Sequence, residues 1–393
     1  MFADHSPEFV RFANRYGKTF ESNRSAFDTL IAPNLFYCGQ VLSRLPLRLP
    51  PGVPLPLVEY SFIEVKDFPQ GIVSKEGDIN CAALYHTYPL CLLEFYGILA
   101  SNPAVLSFIG DPTLETSRNF YLGGNPAGFQ HWANDFRRIT SWEDLVPAFL
   151  PKGDARCDLA FYMMHIALRF LWFHELGHIL DGHVEYLIEQ KGYAEIYFHM
   201  RGKREQIVDD LEARSLEVIA DTVASQLLLK GIFDHEDSFM PEPVKALDLT
   251  DRLLVNLTAI TALCWFMFAR EAQVAIERGS KGSLFEWTSH PSAIGRLSRI
   301  IGNLHRFTER RSDLADQSPL DAFKKLKAES EAMARMDQSM EFLRVVQAHD
   351  VAEGVFNTPF LQPLTVYQRI TDILKRYSYI YRFCDGEISA ANH

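Results

Sequence analysis

His174 and His178 stand four residues apart, with Glu175 directly after the first, in the string His174-Glu175-Leu176-Gly177-His178. On an α-helix the two imidazoles fall about 40° apart on one face and one turn apart along it. Two ring nitrogens so placed can bind one divalent cation, and zinc takes such ligands at about 2.0–2.1 Å. Glu175 sits next to His174, within reach of a metal-bound water without ligating the metal. A carboxylate there is a general base for attack on a carbonyl and then a proton donor to the leaving amine. The surrounding stretch, FYMMHIALRFLWFHELGHIL, is apolar nearly all the way round, which marks a helix at the protein centre. Two histidines and a glutamate are costly in such a place unless they meet partners.

A catalytic zinc needs a third protein ligand and an open fourth position. In a continued helix Asp181 lies on the ligand face, about 20° from His174, while His183 points about 180° away. The metzincin pattern requires Gly and His at the positions held here by Asp181 and Val184, so that reading fails. Glu217, in Ser215-Leu216-Glu217-Val218-Ile219-Ala220-Asp221, is the better candidate. Glu217 and Asp221 share a helical face with Ala213, Ala220 and Ala224, and small side chains let two helices approach closely. Asp221 can then accept the distal N–H of His174 or His178 and fix its tautomer. The alternative is a solvated acidic face shared with Asp209, Asp210 and Glu212. Further along, Ser289-His290-Pro291 has a proline suited to a first helical turn, with Arg296 six residues after the histidine. His290 and Arg296 are candidates for stabilising a tetrahedral oxyanion.

The combination of HELGH with Glu217-x-x-Ala220-Asp221 resembles the gluzincin metallopeptidases. It looks most like the bacterial intracellular ImmA/IrrE-type and Lit-type phage-exclusion peptidases, whose HELGHxxxGH string is similar. His290-Pro291 with Arg296 resembles an element of the HtpX and CAAX-protease relatives, and the stretch from Asp78 to Pro103 has a Lit-like cast. The motifs span roughly residues 157–300. The resemblance implies that His174, His178 and Glu217 bind zinc and that Glu175 is the catalytic base. It further implies that Asp221 supports a zinc-bound histidine and that His290 or Arg296 assists the transition state. It also implies an edge strand along the substrate cleft, supplied by LVEYSFIEV or by the segment around Ile72-Val73. Asp181 and the insert from about Glu185 to Lys203 depart from the family pattern.

The elements that must position these residues are read outward from the string. From about residue 154 onward the chain is mostly helical, with Asp154 or Asp158 as the cap of the HELGH helix. A second helix covers about Glu205 to Leu229, with Gly231 as its stop. A third, LLVNLTAITALCWFMFA, runs from Leu253 to Ala269 between Arg252 and Arg270. As a helix it spans roughly 26 Å, short of the about 30 Å hydrocarbon core, and it contains Asn256, Thr258 and Thr261. It therefore reads as a core helix, with membrane association the less favoured reading. A fourth helix begins near Pro291, and Leu320 to Val346 is amphipathic and charged. Earlier in the chain, the Pro-rich run Leu45–Pro56 is an extended connector and Leu57–Val65 has the composition of a strand. Pro69, Gln70 and Gly71 read as a turn, and Asn80 to Leu99 reads as a helix stopped at Asn102-Pro103.

The 393 residues carry 39 Lys plus Arg against 50 Asp plus Glu, a formal charge of −11. That acidic excess lacks the basic footprint of a nucleic-acid-binding protein. With 47% hydrophobic and 23% charged residues the chain is neither disordered nor a disulfide miniprotein. Six scattered cysteines without CxxC spacing read as free thiols of a reducing compartment. No signal peptide is visible in MFADHSPEFVRF, so a cytoplasmic location is expected.

The expected fold is α+β and predominantly helical, a zincin-like core with a small mixed sheet and a central HExxH helix. Residues 1–150 would carry the strands, 151–312 the helical metallopeptidase core, and 313–393 a helical extension. The expected activity is that of a zinc-dependent intracellular endopeptidase with one Zn²⁺ per chain and a protein or peptide substrate. Phage defence is an expectation from resemblance alone. The rivals are a non-catalytic zinc-containing sensor or interaction protein and a membrane-associated HtpX-like metalloprotease.

Overall fold

The computed structural model describes residues 5–20, 25–44, 56–65, 71–116, 150–192, 195–196, 210–233 and 240–277, together with 300, 325, 372–374 and 376–377. His290, Arg296, the helix expected near Pro291 and nearly all of 313–393 lie outside them.

The chain opens with α1 (Pro7–Tyr16), where Ser6 accepts a hydrogen bond from Phe9 N and Pro7 takes the first helical turn. A two-residue strand β1 (Lys18–Thr19) and helix α2 (Ser25–Arg44) follow. Next come β2 (Leu57–Glu64), β3 (Gly71–Glu76), β4 (Ile79–Tyr85) and α3 (Thr87–Ala100). With β5 (Glu195–Ile196), from the insert, the strands form one mixed sheet in the order β1-β2-β4-β3-β5. β2 and β4 are parallel, and β3 is antiparallel to both β4 and β5.

Strand β2 lies where its composition put it, but the helix expected from Asn80 does not begin there. Residues 79–85 are a strand, and helix starts only at Thr87. Both faces of β4 are covered, which removes the polar alternation that would have marked a strand. Cys81, Ala83 and Tyr85 face Phe9, Phe12 and Ala13 of α1, while Ala82 and Leu84 face the main core. Gly71, expected in a turn, is instead the first residue of β3.

The central helix is α4 (Asp154–Leu180), buried over most of its length against α3, the sheet and the later helices. Neither Asp154 nor Asp158 caps it: the cap is Gly153, and Glu115 accepts from the backbone N–H groups of Lys152 and Gly153. Near its start, the fully buried Arg156 donates five hydrogen bonds, to the carbonyls of Ala100, Asn102, Val105, Leu106 and Ile109, at 2.7–3.1 Å. The guanidinium thus saturates its donors on the end of α3 and the loop that follows, pinning both to the first turn of α4.

A short α5 (His183–Lys191) turns back from the end of α4, and α6 (Asp210–Phe233) packs along α4. Gly231 does not stop α6, which runs two residues beyond it. After a single turn of helix, α7 (Glu242–Lys245), comes α8 (Leu249–Glu277), which contains the apolar run. Leu253, Leu254, Leu257, Ile260, Leu263 and Phe266 are buried in the main core, Asn256 donates to the Arg252 carbonyl, and Tyr96 donates to the Ala259 carbonyl. No helix among the described residues is long and apolar enough to cross a membrane. Far along the chain, Leu374 joins this core and Tyr377 settles on α5, donating to Glu189 at 2.7 Å and stacking edge-on with Tyr186.

Candidate metal centre

His174 and His178 project from the last two turns of α4 toward α6, and both are buried, with Glu175 beside them only 8% exposed. Opposite them Glu217 is buried at the 1% level. Its approach depends on Gly177, which lies between the histidines and meets Ala220. A Cβ built on Gly177 would be 3.2 Å from the Ala220 carbonyl oxygen and 3.3 Å from both Ala220 Cα and Val223 Cβ. A glycine facing an alanine thus lets α4 and α6 approach closely at the level of the site.

Three side chains converge through their donor atoms. His174 Nε2 lies 3.3 Å from Glu217 Oε2, His178 Nε2 lies 3.1 Å from Glu217 Oε1, and the two Nε2 atoms are 3.3 Å apart. Ligands at about 2.05 Å from a tetrahedral centre are separated by about 3.3 Å, so the spacing suits a zinc-sized ion. Among the described residues these three are the group able to hold a metal ion. Asp181 and Glu212 are not in it: Asp181 is the residue at which α4 ends, and Glu212 accepts from the Tyr186 hydroxyl and pairs with Lys191.

Electrostatics match this donor set. Burial would lower the His174 pKa, but the carboxylates of Glu217 and Asp221 outweigh it and raise it to about 10. His178 goes the other way: burial lowers its pKa, and the charge on His174 adds to that against the pull of Glu217. The pocket therefore favours a single positive charge between the rings and the carboxylates, and a divalent cation satisfies the same field.

The atoms behind the rings are also engaged. His174 Nδ1 is 2.9 Å from Asp221 Oδ1, the relation read from the i, i+4 spacing of Glu217 and Asp221. His178 Nδ1 is 2.8 Å from His183 Nδ1, a contact the sequence reading missed because it continued the helix past Leu180. Its signal was Asp181-Gly182, a dipeptide that stops helices. The Glu175 carboxyl group lies against Gly71 at the start of β3. Nothing local links residue 71 to residue 175, so the sequence held no sign of it.

Residues 127–315 match the family model described as Peptidase U49. No curated protein and no solved structure matches the chain. The matched segment, a little under half of the chain, holds both the helix with His174 and His178 and the helix with Glu217, and over it the chain is similar to the Lit-type peptidase U49 family, with a buried His-His-Glu triad able to hold a metal ion.

Proposed function

We propose that this peptidase is a zinc-dependent endopeptidase in which His174, His178 and Glu217 hold the metal and Glu175 is the general base. The observation that carries the reading is the convergence of the two Nε2 atoms, 3.3 Å apart, on the Glu217 carboxylate, whose two oxygens lie 3.1 and 3.3 Å from them, a spacing that suits a zinc-sized ion. When bound, zinc supplies Lewis acidity that polarises a carbonyl and lets water act as a nucleophile at neutral pH. The chain's own residues supply the rest. Glu175 removes the proton from the attacking water and delivers it to the leaving amine. Asp221 holds His174 with its Nε2 lone pair aimed at the metal.

Of the two segments considered for the substrate cleft, β2 is paired on both sides, with β1 and β4. β3 begins beside Glu175, and β5 pairs only with its Val73 and Ser74. The edge of β3 at Gly71 and Ile72 is thus the place for an extended substrate segment to add as a strand. In the same reading residues 1–150 and 151–312 build one peptidase fold, 313–393 extends it, and His290 and Arg296 stabilise the oxyanion.

The test combines metal analysis with turnover. Purified protein should carry close to one zinc per chain, and His174→Ala or His178→Ala should lose most of it. Glu175→Gln should keep zinc and melting temperature while cleavage of a lysate substrate falls by about 10²–10⁴-fold. Equal cleavage by wild type and Glu175→Gln would remove the assignment of the base. Full zinc in both histidine variants would remove the assignment of the site.

A further inference from the structure

We propose that His183 is a positioning residue of the metal site, which orients His178 by accepting the hydrogen bond from its Nδ1–H. The proposal rests on the zinc reading above. A straight continuation of α4 would carry His183 to the far side of the helix, about 180° from His174. Instead α4 ends at Leu180, and the Asp181 and Gly182 N–H groups bond back to the carbonyls of Gly177 and Ile179 at 2.9 and 3.0 Å. Gly182 takes φ 72°, ψ 23°, a left-handed conformation that glycine adopts without strain. The reversal starts α5 on His183 and swings its ring back over His178. The turn is sealed from outside, because the Tyr377 backbone lies where any Cβ on Gly182 would stand.

The result is a direct ring-to-ring contact. The two Nδ1 atoms are 2.8 Å apart, the ring centroids 4.9 Å apart and the planes at 70°, with both side chains fully buried. Two imidazole nitrogens at that distance share one proton: one donates and the other accepts. His178 Nε2 faces His174 and Glu217, so its lone pair there serves the metal and its proton sits on Nδ1. His178 is therefore the donor and His183 the acceptor. The His183 proton then sits on Nε2, which faces the Asp181 carboxylate at 4.0 Å. Asp181 favours that tautomer of His183, and His183 in turn fixes the tautomer and ring plane of His178.

The two metal-ligating rings are thus supported differently. His174 donates directly to a carboxylate, whereas His178 donates to a neutral ring with a carboxylate one step behind it. Partners of this kind, removed, typically cost about 10–100-fold in metal affinity.

The experiment measures zinc affinity of the full-length chain by competition with a chromophoric chelator, for wild type, His183→Asn and His183→Leu. Asparagine puts an amide oxygen close to where Nδ1 was, so it still accepts. Leucine fills the space and cannot. His183→Leu should lose about 10–100-fold in affinity, and His183→Asn should regain most of it. The visible spectrum of the cobalt-loaded protein should shift for leucine and stay near wild type for asparagine. If His183→Leu does not fold, His183→Gln replaces it: its oxygen reaches the Nε2 position, and it should lose affinity where His183→Asn does not. Wild-type affinity in His183→Leu, or equal losses in the asparagine and leucine (or glutamine) variants, overturns the proposal while leaving the zinc reading intact. A wild-type chain that takes up no zinc overturns the zinc reading, and this proposal with it.

Discussion

Gly71 and Glu175 occupy one space: a Cβ built on Gly71 would stand 2.9 Å from Glu175 Cγ and nearer still to its carboxyl group. The first residue of β3 is therefore bare where the proposed general base needs room. The crowded atoms belong to the mobile end of a side chain, so an added methyl group turns the carboxylate aside and leaves α4 in place. Misplacing a catalytic group by about 1 Å can cost about 10²-fold. Gly71→Ala is expected to keep its zinc and its melting temperature while kcat/KM falls roughly 10–100-fold. Steady-state kinetics beside metal analysis checks this, and full activity would mean that Glu175 does not work from its place against β3.

A second expectation concerns the contact of Gly177 with Ala220. Alanine is favoured over glycine in a helix by up to about 1 kcal/mol. Against that, a Cβ 3.2–3.3 Å from Ala220 and Val223 crowds backbone as well as side chain, and overpacking costs about 1–3 kcal/mol. Thermal stability of Gly177→Ala should therefore drop only modestly. Zinc affinity should drop more, about tenfold or beyond, because Glu217 lies on the helix that must give way. Chelator competition and a thermal melt on one preparation separate the two effects. A variant with wild-type affinity would show that the site absorbs the shift.

These contacts also show which parts of the structure were legible in advance. HELGH announced itself because both histidines lie on one turn of one helix, and an i, i+4 pair needs nothing from elsewhere in the chain. Glu217 and Asp221 were readable for the same reason, aided by the small residues beside them. His183 was missed because its position depends on where α4 stops, and the apolar pattern of this mostly buried helix runs on to Leu180, leaving Asp181-Gly182 as the one local mark of its end. The Asn80–Tyr85 segment was misread as helix because α1 covers one face of β4 and the core the other, leaving a continuous apolar run. Gly71 was invisible as a site residue because its role is set by a side chain 104 positions later, which only the tertiary fold brings near.

Arg156 supports a prediction about stability. Its five hydrogen bonds end on backbone carbonyls of the last residue of α3 and the loop after it, and the side chain is fully buried. Arg156→Ala would leave a cavity and several buried acceptors without donors, and each such acceptor costs about 1–3 kcal/mol unless water enters. A loss of about 3–5 kcal/mol is expected in urea unfolding, at the upper end for single substitutions. Arg156→Lys should recover little, since one ammonium offers three donors from a single point where the guanidinium reaches five carbonyls. A lysine variant as stable as wild type would show that charge alone, and not the planar fork, holds this loop.

The last expectation ranks the acidic residues around the proposed metal site. Glu217 Oε1 and Oε2 face both Nε2 atoms at 3.1 and 3.3 Å, so Glu217→Ala removes one of three ligands and should strip zinc under mild chelation. Asp221 acts one atom further out, with Oδ1 2.9 Å from His174 Nδ1. Asp221→Asn keeps an oxygen there to accept the same hydrogen bond but loses the charge that makes His174 a stronger ligand, so affinity should fall by about 10–100-fold and the metal should stay at high zinc. Asp181 is a full ring away from His178, 4.0 Å behind His183 Nε2, and Asp181→Ala should have the smallest effect of the three. Titrating the variants with a chelator series gives the order directly. If Asp181→Ala releases the metal while Glu217→Ala retains it, the ligand set is not His174, His178 and Glu217, and the gluzincin arrangement is wrong for this chain.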